Sequence, residues 1–249
     1  MKTICTIQAR HFATRLNGKI AEDICGKPML GHVIDRIKMA ETVDMIIIAT
    51  TKNLEDEWTQ DYGHSQNVMV YRGDVNDVLG RVVKSLWPFK IDAVVHVTAD
   101  NPLVEPHLID CGVRFLKEYK TDFVFMSKLP VGVGADVFST QTLRDASRLA
   151  TKPEHREHVN EYFFENLEKF NSANLSFGPE LQEPNLRLTV DTKEDLEMMR
   201  KIYAKFYDGN LVNVRDVIKL YRSEPEFFTN SVIRQRYGSE RERILKLGL

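Results

Sequence analysis

The sequence predicts an α/β fold built on a mostly parallel central sheet, and three observations carry that prediction. The run Met45–Ala49 is apolar throughout and Ala93–Val97 is apolar but for His96, as strands buried on both faces are. Segments of helical period separate such runs through the first half, which is the pattern of βαβ units. Polar residues collect just past the ends of the runs, where open parallel sheets bind their ligands.

Taken in order, the first strand is Thr3–Gln8. After an Arg-rich loop a helix runs from Met29 to Ala40, with Leu30, Val33, Ile34 and Ile37 on one face. Strand two is Met45–Thr50, a helix spans Leu54–Tyr62, strand three is Val68–Arg72 and a further helix covers Val75–Leu86. Strand four, Ala93–Thr98, leads through the turn Asp100-Asn101-Pro102 to a helix over Pro106–Tyr119, with Pro at its tolerated first position. Strand five is Asp122–Met126. The order is then less regular. Val131–Phe138 reads as extended, Ser139 caps a helix over Thr140–Ala150, a helix covers Glu157–Lys169, and strands follow at Ala173–Phe177 and Leu186–Val190. Thr192 is the N-cap of a helix over Glu194–Tyr207 with Asp195 in its first turn, and Ser239 with Glu242 has capping-box spacing. No linker or repeat interrupts the chain, so residues 1–225 form one domain and 226–249 a C-terminal appendage.

The 249 residues hold 34 Lys+Arg against 36 Asp+Glu, a net charge of −2 that argues against a nucleic-acid binder. With 43% hydrophobic and 28% charged residues the composition is that of an ordinary globular domain, not a disordered one. No apolar stretch approaches the roughly 18 residues of a membrane helix, and the N-terminus MKTICTIQAR lacks a signal-peptide apolar region. These features predict a cytoplasmic protein with no membrane partner. Cys5, Cys25 and Cys111 lack metal-ligand spacing and are expected to be buried free thiols.

The loop ARHFATRLNGK carries Arg10, Arg15 and Lys19 at the end of strand one. Guanidinium groups pair with phosphate oxygens in bidentate fashion and Lys adds a point charge, so the loop suits a triphosphate; it reads equally as a solvated basic loop. Asp100 and Asp191 each follow an apolar run. Two such carboxylates are what a Mg²⁺ site needs, because Mg²⁺ takes few protein carboxylates and completes its shell with water and substrate phosphates. In PEHREHVNEY, His155 and His158 stand three apart and share a helix face if the helix is continuous, but no third metal ligand accompanies them. Tyr162-Phe163-Phe164 and Phe227-Phe228 read as core or interface, and the tail with Arg234, Arg236, Arg241 and Arg243 as a solvated or dimer-contacting helix.

In order, IQARHFATRLNGK, GKPML, IIIATT, RGDVNDVLGR, VTADNPLVEP, REHVN and RLTVDTKEDLE resemble the cytidylyltransferases typified by spore coat polysaccharide biosynthesis protein F, relatives of the enzymes that make CMP-3-deoxy-manno-octulosonate and CMP-sialic acid. The resemblance spans about residues 3–225 and implies a Rossmann-like nucleotidyltransferase fold, usually in a homodimer. It implies attack by a hydroxyl or phosphate oxygen on the α-phosphorus of CTP, with release of pyrophosphate. Arg10, Arg15 and Lys19 would then hold the triphosphate, and Asp100 and Asp191 the Mg²⁺. Gln8 and Ala9 would lie near the base, with Asp77 and Arg81 closing over the nucleotide. Asp136, Arg156, Glu157 and His158 would form the acceptor pocket, Arg156 for a substrate carboxylate and His158 as general base for a hydroxyl. Asn17 stands where the family usually has Pro, His11-Phe12-Ala13 replaces a Met-Gly-Ser type stretch, and Asp136 replaces a frequent Glu, which leaves the choice of acceptor open.

The reading that results is a Mg²⁺-dependent cytidylyltransferase acting on a sugar acid or a related acidic or phosphorylated metabolite for surface-glycan synthesis. Its alternatives are a nucleotidyltransferase for another base or a nucleotide-sugar glycosyltransferase, and a non-catalytic nucleotide-binding subunit. The last fits poorly with a chain that carries every expected cation and carboxylate.

Overall fold

The computed structural model describes residues 2–229. Strand β1 (Thr3–Gln8) is flanked by parallel neighbours on both sides, and its side chains alternate between two apolar clusters: Cys5 and Ile7 face one, Ile4 the other. A small hairpin of β2 (Asp23–Ile24) and β3 (Lys27–Pro28) follows, then α1 (Met29–Lys38), β4 (Met45–Thr51), α2 (Glu57–Ser65), β5 (Met69–Gly73), α3 (Val78–Ser85), β6 (Ala93–Thr98) and α4 (Pro106–Tyr119). The second half contains β7 (Phe123–Met126), β8 (Asp136–Ser139), α5 (Thr140–Leu149), α6 (Pro153–Glu157), α7 (Glu161–Phe164), β9 (Ser172–Leu175), α8 (Lys193–Phe206) and α9 (Val214–Ser223).

The main sheet has seven strands in the order β5-β4-β1-β6-β8-β7-β9. All pairings are parallel except those of β8, which runs antiparallel to both β6 and β7. The mostly parallel α/β architecture expected from the sequence is therefore the one observed. Helices cover both faces, as a parallel sheet requires. Val33 of α1, Leu108 of α4, Met199 of α8 and Val217 of α9 pack on one face, while Leu79 of α3, Leu143 of α5 and Phe163 of α7 pack on the other. The chain builds β4 and β5 on one side of β1, then crosses to place β6 on the other. The crevice at the carboxyl ends of β1 and β6 is thus a topological switch point, the place where such sheets bind ligands.

Several expectations are corrected. The single helix over Glu157–Lys169 is broken: α6 ends at Glu157, the backbone of His158 is extended, α7 starts at Glu161, and a 3-10 turn covers Leu167–Lys169. The consecutive residues Tyr162, Phe163 and Phe164, all within α7, are buried in the core. Leu186–Val190 is not a strand and makes one parallel bridge, Val131 with Arg187. Within Val131–Phe138 only the end pairs, as part of β8. Helix α9 went unpredicted, although Asn213 caps it and Val214, Val217, Ile218 and Tyr221 carry its period. Of the cysteines only Cys5 is buried; Cys25 is exposed and Cys111 half-buried. Among the described residues no helix is long and apolar enough to cross a membrane. Phe227 and Phe228 pack partly against the core, whereas Ser239, Glu242 and the arginines of the tail lie outside the described residues.

The hairpin between β2 and β3 turns on Cys25 and Gly26, with φ of 52° and 84°. Two left-handed residues in a two-residue loop form a type I′ turn, for which Asn-Gly is the preferred pair. Cys25→Asn is expected to stabilise the protein by about 0.5–1 kcal/mol, because Asn tolerates this conformation better than Cys. A lower denaturant midpoint for the variant would contradict it.

Candidate active site

The exits of the central strands are tied together. Ala9 donates its N–H to Ala49 O (3.3 Å), and Ala99 donates to Gln8 O (2.9 Å), so the ends of β1, β4 and β6 form one floor. From that floor the cationic loop leaves with Arg10 exposed and is pinned where His11 N donates to the buried carboxylate of Asp56 (2.6 Å). It closes where Gly18 N donates to His11 O (2.9 Å). Gly18 sits at φ 71°, a conformation that favours glycine, and a Cβ there would lie 3.1 Å from the His11 ring, which would have to shift. The 3-10 turn that follows carries Lys19 inward to a buried position.

Lys19 Nζ meets Asp100 Oδ2 at 2.8 Å, Asp191 Oδ1 at 3.1 Å and Val190 O at 2.7 Å. The two aspartates expected at a metal site, 91 residues apart in sequence, are thereby brought to one point. Their backbones are joined as well, since Val190 N donates to Asp100 O (2.9 Å). Asp100 Oδ1 accepts from Thr98 Oγ1 (2.6 Å). Asp191 Oδ1 also meets exposed Arg15 (3.0 Å), and its Oδ2 is held by Arg187 Nη2 (2.6 Å). Arg187 Nη1 continues to Asp195 Oδ1 (2.6 Å), and Asp195 Oδ2 accepts from the amides of Asp191 and Thr192 (both 2.9 Å). Thr192 is the N-cap expected from the sequence, within a full capping box.

Burial alone would raise the Asp191 carboxyl, but the charge and hydrogen bond of Lys19, with Arg15 and Arg187, hold it below the usual carboxylate range. Burial likewise works against charge on Lys19, and Asp100 and Asp191 overcome it and hold the ammonium above its ordinary value. Asp191 is ionised at neutral pH in consequence of this pairing. Among the described residues no three His, Cys, Asp or Glu side chains converge as a metal cluster. The pair nonetheless fits Mg²⁺: two hard carboxylates already share one cation, the Lys19 ammonium, and both remain partly open to solvent, with side-chain exposures of 25% and 13%.

The nucleotide and acceptor residues expected from the resemblance are arranged differently from two separate pockets. Asp77 caps α3 by accepting from Gly80 N (2.9 Å), and its carboxylate is gripped by Arg156 through Nε (2.9 Å) and Nη2 (3.0 Å). Arg156 Nη1 donates to Ser147 O (2.7 Å), so this guanidinium is engaged on every nitrogen. Arg81 is buried, donating from Nε to Ala49 O (3.2 Å) and from Nη1 to Asp74 O (2.6 Å). Its burial, and the neighbouring Arg10, lower its basicity. Gln8 is half-buried and Ala9 buried at the strand exit. Asp136 accepts from Asn160 Nδ2 (2.5 Å). Glu157 and His158 are exposed, whereas His155 is buried with Nε2 on Glu165 (2.9 Å), so the two histidines do not share a helix face. Sequence reasoning missed Arg187, Asp56 and Asn160. Arg187 is legible in hindsight, four residues before Asp191 as Asp195 is four after; Asp56 gave no signal beyond following a strand.

A Rossmann-like sheet with a cationic loop and two carboxylates converging at its switch point is the architecture of a nucleotidyltransferase. The comparisons narrow this. The family model described as cytidylyltransferase matches residues 4–231, and the chain belongs to that family. It is 28% identical over 228 residues to the spore coat polysaccharide biosynthesis protein SpsF of Bacillus subtilis, covering 90% of this chain and 95% of that one. A solved cytidylyltransferase of Leptospira borgpetersenii superposes with a TM-score of 0.85 at 28% identity, covering 94% of this chain and 100% of that one. A CMP-2-keto-3-deoxy-manno-octonic acid synthetase solved with CTP shares the fold at a TM-score of 0.63 and 19% identity, over 82% and 99% of the two chains.

Proposed function

We propose that the protein transfers CMP from CTP to an oxygen nucleophile of a sugar acid, or of a related acidic or phosphorylated metabolite, in surface-polysaccharide synthesis. The observation that carries this reading is the convergence of Asp100 and Asp191 beside the loop of Arg10 and Arg15, at the switch point of the sheet. Family membership and the glycan role in the name of the SpsF relative support the substrate class.

In this reading the floor at Gln8 and Ala9 receives the base, and Arg10 and Arg15 grip the triphosphate by charge-assisted hydrogen bonds. Asp100 and Asp191 hold Mg²⁺, which when bound supplies Lewis-acid polarisation of the α-phosphate and templates in-line displacement. The nucleophile forms a new P–O bond to the α-phosphorus as the bond to the β-phosphate oxygen breaks, and the arginines neutralise the leaving pyrophosphate. If the nucleophile is a hydroxyl, exposed His158 takes its proton. The Asp136–Asn160 pair and Glu157 belong to the acceptor side, while Asp77, Arg81 and Arg156 fix the wall between nucleotide and acceptor. The protein would work in the cytoplasm, as a homodimer whose mass light scattering of the purified protein tests.

Incubation with each NTP, Mg²⁺ and a panel of sugar acids and phosphorylated acceptors should give pyrophosphate with CTP alone. Release of a nucleoside diphosphate instead would identify a glycosyltransferase. Absence of both CTP binding and pyrophosphate would leave a non-catalytic subunit. Arg10→Ala is expected to raise KM for CTP by about tenfold or more, the cost of one charged hydrogen bond, with little effect on folding because Arg10 is exposed. Steady-state kinetics with CTP varied would show no such rise if Arg10 is a bystander.

A further inference from the structure

A lysine ammonium carries three N–H donors and no acceptor. In Lys19 all three are taken by protein oxygens, those of Asp100, Asp191 and the Val190 carbonyl, at 2.7–3.1 Å. The residue is only 8% exposed, so no donor is left for a phosphate unless one of these bonds breaks. Arg15 differs: it touches Asp191 from a side chain that is 52% exposed, the kind of surface pair that is worth little and is readily given up.

We infer that Lys19 is the resident counter-ion of the Asp100–Asp191 pair, a positioning residue that aims both carboxylates at one point and occupies, in the free enzyme, the place of the divalent cation. This rests on the reading of Asp100 and Asp191 as the metal ligands. Two part-buried carboxylates brought this close repel each other unless a cation lies between them. The fold supplies one on a short turn and fixes its depth through the Val190 carbonyl, which belongs to the same backbone segment that is bonded to Asp100. A free divalent ion therefore meets a pair already neutralised and competes with an ammonium held by three hydrogen bonds. A nucleotide triphosphate changes that balance, because its negative charge gives the ammonium an alternative partner while it delivers the metal. Metal and nucleotide then promote each other's binding, and the coupling is reciprocal.

The test uses Mn²⁺ as the probe, titrated without nucleotide and followed by electron paramagnetic resonance. Lys19→Met is expected to bind Mn²⁺ at least about fivefold more tightly than the wild type, in the range of ordinary coupling effects, although it loses turnover. Its melting temperature should fall and be restored by Mn²⁺, while Lys19→Arg returns metal affinity toward the wild-type value. If the Met variant fails to fold, Lys19→Gln, which retains an N–H donor for Val190 O, carries the same expectation. Mn²⁺ affinity that neither neutral variant increases overturns the counter-ion role. Tighter binding that survives Asp100→Asn in the Lys19→Met background overturns the metal assignment itself, and the role with it.

Discussion

In the Asp191→Asn enzyme turnover is expected to fall by roughly a thousandfold or more while the protein stays folded, and Asp100→Asn should behave alike, if the two carboxylates hold the metal as proposed. The size follows from the several kcal/mol that a metal supplies to a phosphoryl transition state, at tenfold in rate for each 1.36 kcal/mol. The fold survives because an amide has the carboxylate's shape and the partners of each aspartate are over-determined. Arg187 keeps Asp195 when Asp191 is neutralised, and Lys19 keeps one carboxylate and Val190 O in either variant. Circular dichroism and a thermal melt establish folding, and pyrophosphate release measures turnover. The two variants separate at the next level. Asp191 lies between Lys19, Arg15 and Arg187, so its neutralisation takes a carboxylate from three cations at once. Asp100 is tied instead to Lys19 and the hydroxyl of Thr98. Raising Mg²⁺ should therefore recover more activity in Asp100→Asn than in Asp191→Asn. Activity within threefold of the wild type in either variant removes that residue from the metal site.

The parts of this site that were legible in the sequence are those set by local rules. Apolar runs placed β1, β4 and β6, and residues just past a parallel strand face the ligand crevice, so Arg10, Asp100 and the loop to Lys19 could be located without a structure. Thr192 was legible as a cap because a capping box is written within four residues. What was not legible depends on tertiary partners. Nothing near Arg156 in sequence announces that Asp77, 79 residues away, will take two of its nitrogens. Nothing near Leu186 tells that this apolar run docks on the Asp100 turn through single bonds and does not join the sheet. The break after α6 was hidden for a related reason: the charged stretch has adequate helix propensity, which tertiary context overrides at His158.

Asp195→Ala is expected to destabilise the protein by about 3–5 kcal/mol, the usual cost of removing one partner of a buried charge pair. Asp195 is fully buried and serves three groups at once: Arg187 through Oδ1, and the amides of Asp191 and Thr192 through Oδ2. Alanine leaves those amides without this acceptor and takes from Arg187 the carboxylate opposite its bond to Asp191. For a chain of this size such a loss lowers the melting temperature by roughly 10 °C. Activity should fall as well at temperatures where the variant is fully folded, because Asp191 then loses the bond that fixes its backbone and shares an arginine no longer held from the far side. Asp195→Asn distinguishes the two effects. It keeps an oxygen for the amides but not the charge opposite Arg187, so it should recover part of the stability and less of the turnover. An Asp195→Ala protein that melts within about 2 °C of the wild type, a shift worth less than about 1 kcal/mol, would show that the buried network is not what holds Asp191 in place.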